Sequence, residues 1–246
     1  MANDLSKINQ KLKEILGPEK GYFGRVFTWG QRPSEYEYIG YELTDDFLPI
    51  LQNMCQEQIK NLTTIINYFE IHANPLKKLL EIKQQEEYLY KFYSEIAWSH
   101  FITVVMFGML EVAVRIQPNV KLNKNGHLSD KSNEIKNFFD NYLPQDVKDD
   151  IVNRYRVDDL FGHKKPTDFG EVIDHLWEKI RCGFVHDAGL ESKGLEWHTL
   201  DGIGTKEEPI TIKSDVPVQE WLQKTWQAIL NSYGYKGLVE LSKYTK

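Results

Sequence analysis

Arg181 and His186 lie five positions apart near the end of a strongly patterned helical segment. An arginine guanidinium is permanently charged and can bind two phosphate oxygens at once. An imidazole gains or loses a proton close to neutral pH. A phosphodiester bond of RNA can be cut by these two groups without a metal ion, because histidine moves the proton while arginine holds the phosphate. Arginine and histidine are therefore the pair of side chains that a metal-free ribonuclease needs.

The helix that carries this pair is predicted to run from Asp168 to about Asp187. Asp168 and Glu171 have the spacing of a capping box at its start, and Gly189 is a suitable residue at its end. With about 100° per residue, one stripe of the helix is apolar and predicts ordinary core packing. This stripe contains Phe169, Val172, Ile173, Leu176, Trp177, Ile180 and Phe184.

Arg181 and His186 lie outside the apolar stripe, about 140° apart around the helix. The residues between them on this side, Cys182 and Val185, are apolar, where a solvated helix would carry lysine or glutamate. We therefore expect another segment or a second copy of the chain to cover this side. Two antiparallel copies around a two-fold axis would bring all four side chains into one cleft, which predicts a homodimer.

Two acidic residues are candidates for supporting roles. Glu111 lies in an apolar helix, and an unpaired buried carboxylate is costly, so it requires a partner. That partner is either Arg181 or, at the i+4 position of the same helix, Arg115. Asp187 directly follows the motif histidine. It either orients the base or binds a sugar hydroxyl, or it is simply a solvated residue at a helix end.

The overall charge argues against broad, sequence-independent binding of nucleic acid. The net charge is −6, whereas general nucleic-acid binders carry a basic face. A small cleft that engages one phosphate is still compatible with this charge. Lys164 and Lys165, in the segment before the motif helix, are candidates to contact the RNA backbone; the alternative is that both are plain surface lysines.

Composition and motifs limit the other classes of function. Cys55 and Cys182 are far apart, which predicts free thiols in a reducing cytoplasm. The amino terminus lacks a signal-peptide pattern, and the charge-free run from Ile96 to Leu110 is shorter than the roughly 20 residues of a membrane span. Neither a metal-binding motif nor a glycine-rich phosphate loop occurs. We predict no metal, no cofactor and no membrane contact.

The hydrophobic periodicity predicts one mainly helical domain over residues 1–246. Residues 1–44 form a first helix and an aromatic segment with a short strand near Tyr36, and residues 45–246 form the helical core. Core helices are predicted over 45–69 (ending before Pro75), 86–116, 134–143, 145–161 and 168–187, with a last one around 221–230. Strand-like residues near 195–200 and 210–212 predict a small β-hairpin at 195–213, after the motif helix.

The segment from Leu176 to Leu190, with its Arg-Cys-Gly-Phe-Val-His run, resembles the HEPN superfamily (higher eukaryotes and prokaryotes nucleotide-binding domains). The resemblance implies a HEPN-like helical bundle, paired motifs at a dimer interface and an acidic residue that supports the motif arginine. It also implies a metal-independent endoribonuclease in a toxin, antiviral defence or stress response, with an antitoxin or another regulatory protein as a further partner.

The alternative is a non-catalytic HEPN-like module that binds a nucleotide or a partner protein through the same face. The acidic net charge favours this alternative, and so does Cys182. In the nucleases that the motif resembles, the residue after the arginine is often polar.

Overall fold

Helices make up most of the described chain, as the hydrophobic periodicity predicts. The computed structural model describes the residues in the ranges 2–17, 23–24, 37–83, 103–155, 157–159, 162–164, 166–177, 195–198, 210–213, 216 and 218–245. No helix in these ranges is both long and apolar enough to span a lipid bilayer.

The first three helices follow the predicted order but not the predicted boundaries. Helix α1, Ala2–Leu16, confirms the first prediction. The helix predicted from residue 45 onward is divided into α2, Leu48–Asn53, and α3, Gln56–Lys83. At the break, the Gln58 side chain accepts the backbone N–H of Cys55 (3.0 Å) and starts the new helix. Helix α3 then continues through Pro75 to Lys83, although an interior proline removes a hydrogen bond of the helix. The predicted end before Pro75 was therefore wrong.

Helix α4 spans 103–114, the described part of the apolar helix predicted over 86–116. Helix α5, Lys131–Tyr142, confirms the predicted helix over 134–143. Helix α6, Gln145–Arg154, ends seven residues before the predicted boundary at Phe161, which was therefore wrong. The chain becomes extended at Tyr155 because its side chain is buried in the core there.

Two helices complete the set. Helix α7, Phe169–His175, is the described beginning of the motif helix, and helix α8, Val218–Ser232, confirms the predicted last helix. The apolar face of α8 is buried between neighbouring helices. Trp226 contacts Phe69 of α3 edge to face, with ring centroids 5.6 Å apart, while Trp221 contacts Phe169 of α7 at 6.1 Å. Helix α8 therefore lies at the centre of the core.

An antiparallel sheet joins the two ends of the chain. Its strands are β1, Phe23–Gly24, β2, Glu37–Leu43, and β7, Val239–Thr245, in the order β1-β2-β7. The backbone amide of Thr44 donates to the carbonyl of Leu238 (3.0 Å), and the amide of Leu238 donates to Oγ1 of Thr44 (2.7 Å). The strand predicted near Tyr36 is confirmed as β2, but its pairing with β7 was not predicted.

The second sheet corrects the predicted hairpin at 195–213. Its strands are β3, Val157–Asp159, β4, Gly162–Lys164, β5, Leu195–His198, and β6, Ile210–Lys213, in the order β4-β3-β6-β5. Strands β5 and β6 exist where strand composition placed them, but they pair in parallel. A hairpin requires antiparallel strands, whereas a parallel pair needs a crossover connection. The hairpin prediction was therefore wrong in direction.

Gly108 of α4 faces the side chain of Tyr68 on α3. A Cβ atom placed on Gly108 would lie 2.5 Å from Cζ and 2.7 Å from Cε1 of Tyr68, inside van der Waals contact. The Tyr68 ring in turn stacks at a tilt on His72, with ring centroids 4.4 Å apart. The glycine is therefore required by the phenol ring of Tyr68 and not by helix propensity.

We predict that Gly108→Ala destabilises the protein. The added methyl group meets a well-packed ring, and overpacking of this kind costs about 1–3 kcal/mol. This cost opposes a gain of up to about 1 kcal/mol in helix propensity. Urea unfolding measures the net free energy. In a Tyr68→Ala background the ring is gone and Gly108→Ala should become stabilising; stabilisation in both backgrounds would contradict the packing argument.

Candidate functional site

The structure describes the helix that precedes the predicted site but not the Arg181 and His186 positions themselves. Arg181, His186, Asp187 and Lys165 lie outside the described residues. Lys164 lies in strand β4, where the backbone is described. What the structure does define is how helix α7, which leads into the motif, is held in place.

The first turn of α7 forms the predicted capping interaction. The carboxylate of Asp168 accepts the backbone N–H of Glu171 (2.8 Å). The Glu171 side chain accepts the backbone N–H of Thr167 (2.7 Å), one residue before the cap. Both carboxylates satisfy amide groups that have no partner inside the helix. The predicted start of the motif helix is therefore confirmed.

Asp174 connects α7 to α5 through two side chains. Nζ of Lys136 lies 2.5 Å from one carboxylate oxygen, and the hydroxyl of Ser132 donates to the other (2.6 Å). Ser132 and Lys136 are four residues apart on α5, so they lie on the same face of that helix. The two contacts together fix both the distance and the rotation of α7 against α5.

His175 connects α7 to the end of α6. Its Nδ1 atom lies 2.9 Å from the hydroxyl of Tyr155, and the two rings meet edge to face at 5.9 Å. Tyr155 is fully buried, and burial raises the pKa of its phenol well above the ordinary value. The phenol is therefore protonated at neutral pH and either donates to Nδ1 or accepts from it, according to the histidine tautomer.

Sequence reasoning missed the pair of Tyr155 and His175. The helix predicted over 145–161 contained Tyr155 in its interior, so its side chain had no assigned direction. His175 lies beside the apolar stripe of α7, and its place in the sequence does not indicate which residue it contacts. One signal was available in the sequence: a tyrosine hydroxyl such as that of Tyr155 needs a hydrogen-bond partner when its ring is buried.

Aromatic contacts hold the two ends of the described part of α7. Phe169 packs edge to face on Phe139 of α5 at 5.5 Å, and Trp177 packs edge to face on Phe107 of α4 at 5.0 Å. At Leu176 and Trp177 the helix widens into a π-helical turn. Such turns occur frequently at functional sites and shift the faces of the residues that follow. The angle of about 140° between Arg181 and His186 stays a prediction.

Glu111 has a partner that neither alternative named. Its side chain is only 13 % exposed, and Lys131 at the start of α5 donates to its carboxylate at 2.9 Å. A pairing of Glu111 with Arg181 stays a prediction. Lys131, Ser132 and Lys136, together with their partners Glu111 and Asp174, form what we term the α5 polar seam. This seam links α4, α5 and α7 within two turns of α5.

Comparisons with known proteins leave the chain without an assigned relative. No family model, no curated protein and no solved structure matches it.

Within the described ranges, no three histidine, cysteine, aspartate or glutamate side chains lie close enough together to hold a metal ion. Cys55, predicted to be a free thiol, is free and exposed.

We predict that stability falls steeply in alkali. Burial raises the pKa of Tyr41, Tyr155 and Tyr233 in the folded state. Below about pH 10 these phenols are neutral in both states. Above about pH 10 the unfolded chain releases their protons and the folded chain does not, so unfolding becomes favoured. Each phenol contributes up to about 1.4 kcal/mol per pH unit.

Urea unfolding at pH 8, 10 and 11 measures this slope. The variant Tyr155→Phe tests the contribution of one phenol, because it removes one titrating hydroxyl and keeps the ring. It should lower the alkaline slope by up to about 1.4 kcal/mol per pH unit. At pH 8 it should cost about 1 kcal/mol, since the hydrogen bond to His175 is lost. Equal slopes for Tyr155→Phe and the parent would contradict the assignment.

Proposed function

We propose that this chain is a metal-independent endoribonuclease of the HEPN type. The observation that carries the proposal is the Arg181-x4-His186 motif, which follows α7 in the sequence. The anchoring of α7 supports it, because a catalytic pair must be held within a fraction of an ångström by rigid elements. Contacts from α4, α5, α8 and Tyr155 supply this rigidity for the residues that lead into the motif.

In the proposed reaction the 2′-hydroxyl of a ribose attacks the adjacent phosphorus. A new 2′-O–P bond forms, and the bond from phosphorus to the 5′-oxygen breaks. His186 acts in the proton transfers, taking the 2′-hydroxyl proton as base or protonating the leaving 5′-oxygen as acid. Arg181 stabilises the negative charge that develops on the phosphoryl oxygens. The products carry a 2′,3′-cyclic phosphate and a 5′-hydroxyl.

The remaining candidate residues have supporting roles in this proposal. Glu111 shares its carboxylate between Lys131 and Arg181, and Asp187 orients the base or binds a sugar hydroxyl. Lys164 and Lys165 contact the RNA backbone. The biological setting we propose is a toxin, antiviral defence or stress response in the cytoplasm, with an antitoxin or another regulatory protein as a partner.

A second candidate function is favoured by the acidic net charge of −6. In this alternative the chain is a non-catalytic HEPN-like module, and Arg181 and His186 bind a nucleotide or a partner protein. Cys182, in place of a polar residue after the motif arginine, points the same way. The two functions differ in whether RNA is cut.

We predict that the purified protein cuts a labelled single-stranded RNA in the presence of EDTA. Loss of general acid–base catalysis in His186→Ala should lower the rate by about 10²–10⁴-fold. Arg181→Ala should lower it by about 10²–10³-fold, as expected for the loss of one oxyanion-stabilising group. Gel analysis of the fragments should find cyclic phosphate ends, and a 2′-deoxyribose at the scissile position should block cleavage there.

The matched controls for these variants are His127→Ala and Arg115→Ala. Both positions are exposed, and neither has a place in the proposed reaction, so both variants should cut at the parental rate. RNA that stays uncut with and without EDTA, together with equal growth of cells that express the parent or the Arg181→Ala/His186→Ala double variant, would leave only the non-catalytic module.

The proposed homodimer across the motif helix has its own test. If one cleft combines groups from two copies, a mixture of Arg181→Ala and His186→Ala proteins should regain a measurable part of the activity that each lacks alone. Light scattering at micromolar concentration should find the mass of a dimer. A monomeric mass would exclude the shared cleft, and a dimer without regained activity would place each motif in a separate site.

A further inference from the structure

An open groove with a volume of about 580 Å³ lies along α8 between Gln223 and Asn231. This volume falls within the range of pockets that bind ligands, roughly 300–1,000 Å³. One wall is the turn between α5 and α6, and the other is the turn that leads from α8 into β7. The groove is separate from the motif and from the α5 polar seam, whose residues do not line it.

The floor of the groove is one face of α8. It is formed by Gln223, Lys224, Gln227 and Asn231, which follow helical spacing. Eight residues of helix separate the first from the last, so the floor is about 12 Å long. An extended chain advances about 3.3 Å per residue. The groove therefore matches the length of roughly four residues in a β conformation.

The outer edge of β7 begins in this groove. The side chain of Gln227 accepts the backbone N–H of Val239 (2.6 Å), and the side chain of Gln223 donates to the carbonyl of Val239 (2.6 Å). These bonds require that the backbone groups of Val239 point away from β2. The two glutamines occupy the place that a neighbouring strand would take.

Two residues further along β7, at Leu241, the outer edge of the strand is available for pairing within the described part of the chain. Backbone groups in an antiparallel ladder alternate in direction, so those of Leu241 point outward like those of Val239. Within the described ranges they have no hydrogen-bond partner, and the Leu241 side chain is 38 % exposed. An unpaired edge of this kind is a template for an added strand.

The side chains around the groove determine which side chains an added strand should carry. Lys224 and Lys236 both line it, and neither forms an ion pair within the described part of the chain. Glu240 is the single acidic residue among the lining residues. Leu238 is 57 % exposed on the rim and offers an apolar contact. A chain that alternates apolar and acidic side chains complements this surface.

We propose that the groove binds an acidic, extended peptide segment of a partner protein, which adds to β7 as a further strand. Its backbone pairs with Leu241 past the two glutamines, one acidic side chain lies between Lys224 and Lys236, and an apolar side chain packs on Leu238. This proposal is independent of the ribonuclease proposal, because it uses none of the motif residues.

Binding of two matched probes tests the proposal. One is a hexapeptide of alternating valine and aspartate, and the other is the same peptide with lysine in place of aspartate; both carry a neutral dye. Fluorescence anisotropy should find that the acidic probe binds at least tenfold more tightly. The double variant Lys224→Glu/Lys236→Glu should weaken the acidic probe at least tenfold and strengthen the basic one. N-methylation of the valine amides should abolish binding, because it removes the strand hydrogen bonds.

The matched control is Lys121→Glu/Lys124→Glu. It changes the net charge equally at two exposed positions in the loop before α5, so the affinity for the acidic probe should stay at the parental value. Equal loss in both double variants, or equal affinity for both probes, would overturn the proposal. Displacement of the acidic probe by a short RNA at equal concentration would also overturn it, since the groove would then be an anion site and not a peptide site.

Discussion

The position of helix α7 depends on its tertiary contacts, because a helix of this length is not stable on its own. Its described α-helical part has seven residues, and isolated helices shorter than about 12–15 residues are marginal in water. The contacts that hold it are of two kinds. Apolar rings hold it on α4, α5 and α8, while Asp174 and His175 make polar contacts in its last turn. Ring packing alone tolerates rotation of a helix, whereas hydrogen bonds to Ser132 and Tyr155 do not. The direction in which the chain enters the motif is therefore set by polar contacts within an apolar core.

Two large aromatic side chains of helix α8 fill the core at the expense of hydrogen bonds. Trp221 and Trp226 are both fully buried, and within the described part of the chain their indole N–H groups have no acceptor. An unsatisfied buried donor costs about 1–3 kcal/mol. Full burial of a large aromatic side chain contributes about the same amount or more. At these two tryptophans the core thus favours shape and buried area over hydrogen bonding.

Sequence reasoning succeeded where the signal was local. Helices α1, α5 and α8 follow from hydrophobic periodicity, and the start of α7 follows from Asp168 and Glu171, three residues apart. It failed where the deciding contact was distant in sequence. Tyr155 leaves the helical path because its ring and hydroxyl are buried against His175, twenty positions later. Strand composition located β5 and β6 but carries no information on direction, and β2 meets β7 across most of the chain length. For Glu111, the apolar helix predicted the need for a partner; the identity of Lys131 required the packing of α4 on α5.

The ion pairs of the α5 polar seam also limit how RNA could be bound. Lys131 and Lys136 of α5 both form ion pairs, with Glu111 and Asp174. Arg154 is engaged in the same way by Asp150 and Glu220. These cations do not supply a basic track for the phosphate backbone, because their charge is already neutralised. In the ribonuclease that we propose, Arg181, Lys164 and Lys165 contact the phosphates instead. Each phosphate contact to a single strand adds a slope of about −0.7 to the dependence of log affinity on log salt. For the ribonuclease that we propose, selectivity would therefore come from the geometry of one scissile phosphate in a cleft, and not from a long-range attraction by Lys131, Lys136 and Arg154.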